Sequence, residues 1–220
     1  MRVRHTEVFM VRHGQTDSNA AGLFHGVTDV PLNKHGLRQA ELVAQRVQVI
    51  DELRSLHSSP LQRALATAQA ISTGIGLTPR LHPGLAEMDF GAAEGLVLNE
   101  MLERYADITA RFLDLDDDEA RFPNGESRRE FHIRVRETLD HIVSSHAGER
   151  ILVVAHGGVI GSAVSQILGD NPNDWQRYAV DNCSVTHIEL ASSGPITHLL
   201  GDVVHLEQLR LDDDAPAAGR

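Results

Sequence analysis

The stretch "VFMVRHGQTDSN", residues 8–19, changes character halfway along. Val8–Val11 is an apolar run of the kind that lies buried between two helical layers. Arg12, His13 and Gly14 follow at once: two side chains able to carry positive charge, then a glycine. A strand that only needed a solvated end would be served by a single charge. Adjacent cationic groups at a strand end suit an anion, and they predict further cationic groups and an acid elsewhere in the chain.

A second stretch has the same form. In "ILVVAHGGVI" an apolar strand over 151–155 runs into His156-Gly157-Gly158 and then into the helical sequence "VIGSAVSQIL". Between the two, Asn33 caps a helix from Lys34 to Ile50, with Leu37, Ala40, Val43, Ala44 and Val47 on one face. "LRSLHSS" reads as a strand ending at Ser58-Ser59-Pro60. Pro60 suits the first turn of a helix that groups Ala64, Leu65, Ala68 and Ile71. "TPRLHPGLAEMDFG" reads as extended, and Leu96–Phe122 mixes helix with the acidic run "DLDDDEA". That run reads as a solvated surface, since it lacks the alternating ligands and turn glycine of a calcium loop. "GESRREFHIRVRETLDHIVSSH" predicts a long helix burying Phe131, Val135, Leu139 and Ile142, while "SVTHIEL" and "ITHLLGDVVHL" predict late strands.

Strands alternating with helices predict an α/β fold of three layers, α/β/α, around a mainly parallel sheet. Such sheets bind ligands beyond the carboxyl ends of their strands, which is where both His-Gly pairs fall. Residues 1–210 read as one domain and 211–220 as a disordered tail.

Composition narrows the ligand. The formal net charge of −11 argues against nucleic acid or an anionic membrane as partner but leaves room for one small anion. Lys34 is the only lysine, so the cationic groups are arginines, whose planar forks match phosphate or carboxylate. Cys183 is the only cysteine, which excludes an intrachain disulfide and reads as a small buried hydrophobe. The charged N-terminus shows no signal peptide, no stretch is long enough to span a membrane, and the expected location is cytoplasmic. Among 13 histidines there is no HExxH and no Cys/His ligand cluster, so no metal site is expected. His35, His82, His141 and His146 read as surface or helix-face residues.

Four segments in order, "RHGQTDSN", "SSPLQRALATA", "LAEMDFGAAEG" and "VVAHGGVI", resemble the motifs of the histidine phosphatase superfamily, whose fold is phosphoglycerate mutase-like. The resemblance runs from Val8 to Asn182. "MDFGAAEG" and "FPNGES" are most similar to its short phosphatase branch, which includes α-ribazole phosphatases and broad-specificity phosphatases. It implies that His13 is a nucleophile forming a phosphohistidine and that Arg12, Arg63 and His156 hold the phosphoryl oxygens. Glu87 is then the proton donor, with Asp89 and Glu94 as nearby alternative carboxylates. Asn19, His25, Gly26 and Gly157 are implied as substrate-binding positions, and the mechanism needs no metal or cofactor. The implied partner is a small phosphorylated metabolite, and relatives that form homodimers leave a homodimer open.

Two departures bear on the substrate. Many relatives read Arg-x-Gln-Gly where this chain has Leu23-Phe24-His25-Gly26, and arginine where it has Gly161. The expected activity is metal-independent hydrolysis of phosphomonoesters. Its rivals are a cofactor-dependent phosphoglycerate mutase, disfavoured by the short acidic 96–122 segment, and a non-catalytic phosphate-binding module.

Overall fold

The two apolar runs that open the sequence argument lie side by side at the centre of one sheet. The structure is a computed structural model describing residues 5–207 and 209, so the tail expected over 211–220 lies outside the described residues. Strand β1 (Thr6–Arg12) pairs in parallel with β4 (Arg150–Ala155), residue for residue from Glu7–Arg150 to Arg12–Ala155. Beyond β4 come β2 (Leu53–Ser58) and β3 (Pro79–Leu81), both parallel. On the other side of β1, β5 (Val185–Ala191) and β6 (Gly194–Asp202) form an antiparallel hairpin. Among the described residues the order is β3-β2-β4-β1-β5-β6.

Strand alternation explains why these runs are apolar at every position. Val8, Met10, Ile151 and Val153 face one core, packed against Phe131, Val135, Leu139 and Ile142 of α6 (Arg128–Ser145) and against α7 (Gly157–Leu168). Phe9, Val11, Leu152 and Val154 face the other, packed against α2 (Lys34–Gln48) and α3 (Gln62–Ile75). The result is the three-layer, mainly parallel architecture of the phosphoglycerate mutase-like fold. The shorter helices are α1 (Asp17–Ala20), α4 (Leu98–Arg104) and α5 (Ala106–Leu113).

Several local expectations shift. Leu37 is 51% exposed, because the buried stripe of α2 runs through Gly36, Gln39, Ala40, Val43 and Val47. Pro60 precedes its helix, whose N-cap is Leu61, and Thr67 takes a buried place where Leu65 was expected. The last strand stops at Asp202, and Val204–Leu206 form a 3-10 turn. The acidic run does more than meet solvent: the Asp114 and Asp117 carbonyls accept from the buried Arg128 guanidinium, while Asp118 and Glu119 pair with Arg129.

Candidate active site

Because Arg12 and Ala155 are register partners, the residues that follow them, His13 and His156, leave the sheet as neighbours. Their ring centroids are 5.0 Å apart. From here the backbones diverge: His156 becomes the N-cap of α7, while His13 enters a loop closed by Thr16, whose side chain caps α1.

The His13 Nδ1 lies 2.7 Å from the Gly14 carbonyl. A carbonyl can only accept, so Nδ1 carries the proton and Nε2 keeps a free lone pair. Burial holds the His13 pKa well below the usual histidine value, and the charges of Arg12 and Arg63 push it down further. The ring is therefore neutral, the form a nucleophile requires. Asn182 Nδ2 donates to the His13 carbonyl at 2.9 Å, and the Gly14 N–H donates to Thr67 Oγ1 at 3.1 Å, so the backbone on both sides of the ring is fixed.

His156 is fully buried, and its pKa is likewise lowered, first by burial and then by His13, Arg63 and Arg12. Its Nε2 lies 2.7 Å from Ser59 Oγ, which also accepts from the Leu61 N–H at 3.3 Å. A serine hydroxyl that accepts from Leu61 can also donate to Nε2, and when it does so the ring proton of His156 sits on Nδ1. That Nδ1 is buried without a protein partner.

The two arginines are anchored from behind. Arg12 Nη1 donates to the Val180 carbonyl at 2.6 Å, leaving Nε buried and unpartnered. Arg63 donates through Nη1 to the Thr28 carbonyl at 3.0 Å and through Nη2 to the Gly26 carbonyl at 2.5 Å. Burial lowers both pKa values while Glu87 opposes the shift, and a guanidinium stays charged at neutral pH. Asn19 turns its Oδ1 inward, accepting from Thr16 N–H and Asn182 Nδ2, which leaves its own Nδ2 as a donor.

Glu87 comes from the extended segment between the 3-10 turns Pro83–Leu85 and Gly91–Ala93. One of its oxygens accepts from the Met88 N–H at 3.1 Å and the other from the Gly158 N–H at 3.0 Å, in the first turn of α7. A Cβ at Gly158 would sit 2.5 Å from that carboxylate, so any other residue there would push Glu87 out of its place.

Arg12, His13, Asn19, Arg63 and Glu87 line a cavity of about 260 Å³, with Thr16, Leu23, Phe24, His25, Val30 and Phe90 among the rest, while His156 lies off that lining, buried against His13. His25 lies on this wall with its Nδ1 enclosed and unpartnered. Gly26 sits differently: its backbone presses on Met88, with only 1.6 Å from an added Cβ to the Met88 carbonyl. Its role is to hold Arg63 through its carbonyl and to meet Glu94 through its N–H. Gly157 opens α7 beside the Arg12 guanidinium. Glu94 accepts from the N–H groups of Gly26, Val27, Thr28 and Phe90, and Asp89 accepts from Gly91 N–H, so both serve the loops.

Sequence reasoning missed four supporting residues. Ser59 holds the Nε2 of His156, Asn182 braces His13, and Thr16 shapes the loop around Asn19. Arg134 gathers the carbonyls of Gly84, Ala86 and Glu87 and an oxygen of Glu126, fixing the segment that carries Glu87. Ser59 had a signal in its motif, four residues before Arg63; Arg134 looked like any helix arginine. Among the described residues, no group of three or more His, Cys, Asp or Glu side chains is placed to hold a metal ion, and no helix is long and apolar enough to cross a membrane.

With this geometry in place the comparisons are decisive about family. Residues 8–203 match the histidine phosphatase superfamily (branch 1). The chain belongs to that superfamily. A curated relative named as a probable phosphoglycerate mutase GpmB, from Yersinia pestis (strain Pestoides F), is 33% identical over 94% of this chain and 98% of its own. The crystal structure of a phosphoserine phosphatase from Entamoeba histolytica, in complex with 3-phosphoglyceric acid, superimposes with a TM-score of 0.81 at 27% identity. It covers 91% of this chain and 99% of that one. An α-ribazole phosphatase from Shigella flexneri also gives 0.81, covering 89% and 96% of the two chains; at 24% identity the likeness is one of fold. The superfamily is one of phosphatases and mutases, and this chain carries its enzyme architecture.

Proposed function

We propose that the protein hydrolyses small-molecule phosphomonoesters through a phosphohistidine at His13. The observation that carries this reading is the neutral His13 ring, its proton held on Nδ1 by Gly14 and its Nε2 lone pair left free between two anchored guanidinium groups. In the first step Nε2 attacks phosphorus and the bond to the ester oxygen breaks. Glu87, in its acid form, gives that oxygen its proton, and the alcohol leaves. In the second step Glu87 takes a proton from water, the water oxygen bonds to phosphorus, and the phosphorus–nitrogen bond breaks to release phosphate and restore His13. Arg12, Arg63, Asn19 and the Nδ1–H of His156 surround the charge on the transferring group throughout. No step draws on a metal or an organic cofactor.

Hydrolysis is favoured over isomerisation because no residue between 96 and 122 reaches the cavity wall. That segment is folded instead around Arg128. The name of the Yersinia relative keeps a mutase as the second reading. Rapid quench of the enzyme with a phosphomonoester should trap an acid-labile, base-stable phosphoenzyme that decays to free phosphate. Formation of 2-phosphoglycerate from 3-phosphoglycerate primed with the bisphosphate, faster than phosphate release, would establish the mutase instead.

A further inference from the structure

Away from the phosphate end, the cavity wall changes character: Leu23, Phe24, Val30 and Phe90 line it. Phe24 and Phe90 meet edge to face with centroids 5.4 Å apart, and Phe90 leans in turn on Phe112 at 6.0 Å. The Phe24 backbone is pinned at both ends, its N–H donating to the Leu96 carbonyl and its own carbonyl accepting from the Gly95 N–H. This is a braced apolar surface rather than a loose flap. The arginines on the lining are Arg12 and Arg63, both anchored at the phosphate end, and no lysine accompanies them. The carboxylate on the lining is Glu87.

We propose that the enzyme selects phosphomonoesters whose alcohol part is uncharged and apolar, of ring size, seated against Phe24 and Phe90. The inference rests on the function proposed above for the phosphate end and adds the class of the leaving group. A second carboxylate or phosphate on that group would lose its water against aromatic and aliphatic side chains, with both arginines of the lining already engaged by the first phosphoryl group. A neutral ring gains contact area and edge-to-face geometry at the same place. His25 stands on this wall as a hydrogen-bonding group for a ring substituent.

Non-hydrolysable phosphonates test this independently of turnover. Calorimetric titration at pH 8, with inorganic phosphate as competitor, should show benzylphosphonate binding at least about tenfold tighter than 3-phosphonopropionate. Leu23→Arg should narrow that ratio by strengthening the carboxylate ligand, and Phe24→Ala should narrow it by weakening the benzyl ligand. Equal or tighter binding of 3-phosphonopropionate to the wild-type protein overturns the proposal, whether or not the variants fold. So does an unchanged ratio in two folded variants. If the preference holds while no phosphomonoester is hydrolysed, the leaving-group inference stands and the hydrolytic reading falls.

Discussion

Two clusters of histidines, one around His13 and one around the buried His57, differ in what their ring nitrogens meet. At the first, His13 and His156 meet beyond the ends of β1 and β4. At the second, His57 on β2 lies 2.9 Å from His82 Nε2 through its Nδ1 and 2.9 Å from Ser55 Oγ through its Nε2. His146 stacks its edge on the same ring at 5.1 Å, while Arg80 donates to it and Glu149 accepts from it. Burial suppresses protonation in both groups, and His57 is brought down to about 3, also by the charges of His82, His146, Arg80 and His141. Neutrality is therefore common to the two and cannot be what makes a nucleophile. The difference is that both nitrogens of His57 are spent on neighbours, whereas His13 and His156 each keep one in reserve beside cationic groups.

The sharpest way to break this comparison is to exchange the fates of the two groups. His13→Ala should lower turnover by about 10⁴-fold or more and abolish the phosphoenzyme, whereas His57→Asn should leave kcat within about threefold of wild type. A quench-flow experiment reporting phosphoenzyme from His13→Ala would sink the assignment. Next in size is Glu87→Gln, which should slow alkyl phosphates about 10²- to 10⁴-fold and aryl phosphates much less, because a phenolate leaves with little proton assistance. Equal losses on both substrate types would remove Glu87 from the proton-transfer role.

Ser59→Ala sharpens the point about reserved nitrogens. Without the hydroxyl, His156 Nε2 loses its partner and the ring its anchor, and kcat should fall about tenfold with little change in KM. An unaltered kcat would mean that the backbone alone sets that ring. The smallest effect concerns stability and belongs to the second group. Because the folded-state pKa of His57 lies below its ordinary value of 6.5, the unfolded chain gains a proton that the native protein refuses as pH falls. The stability present above pH 6.5 is then lost toward about pH 3. Each such histidine contributes a slope of about 1.4 kcal/mol per pH unit. Urea unfolding of His57→Asn across pH 4–6 should show a shallower dependence by about that amount, and an identical slope would contradict the burial account.

Much of this was legible in the chain. Val8–Val11 and Ile151–Ala155 could be read because a strand covered on both faces has to be apolar throughout, and the change to Arg12-His13 marked where cover ends. Motif order singled out Arg12, His13, Arg63 and Glu87, which the fold brings to one cavity. What stayed hidden depends on contacts between distant segments. His82 read as a surface residue because nothing local shows that its turn folds back on His57, and Gly26 read as a substrate contact because its pressure on Met88 exists only once the loops meet. Arg134 was equally silent, since the carbonyls it collects belong to a segment far upstream.

One consequence of the sheet order concerns synthesis. β1 precedes the other described strands in the chain, yet both of its neighbours, β4 and β5, come from far downstream of it. A growing polypeptide that has exposed β1 but not β4 holds a strand of apolar residues with two open edges and His13 without His156 beside it. Neither the protection of that strand nor the meeting of the two histidines can begin until Ala155 has left the ribosome. The candidate site is consequently assembled late in synthesis, and a chain cut short before β4 exposes a sticky strand instead of a partial site.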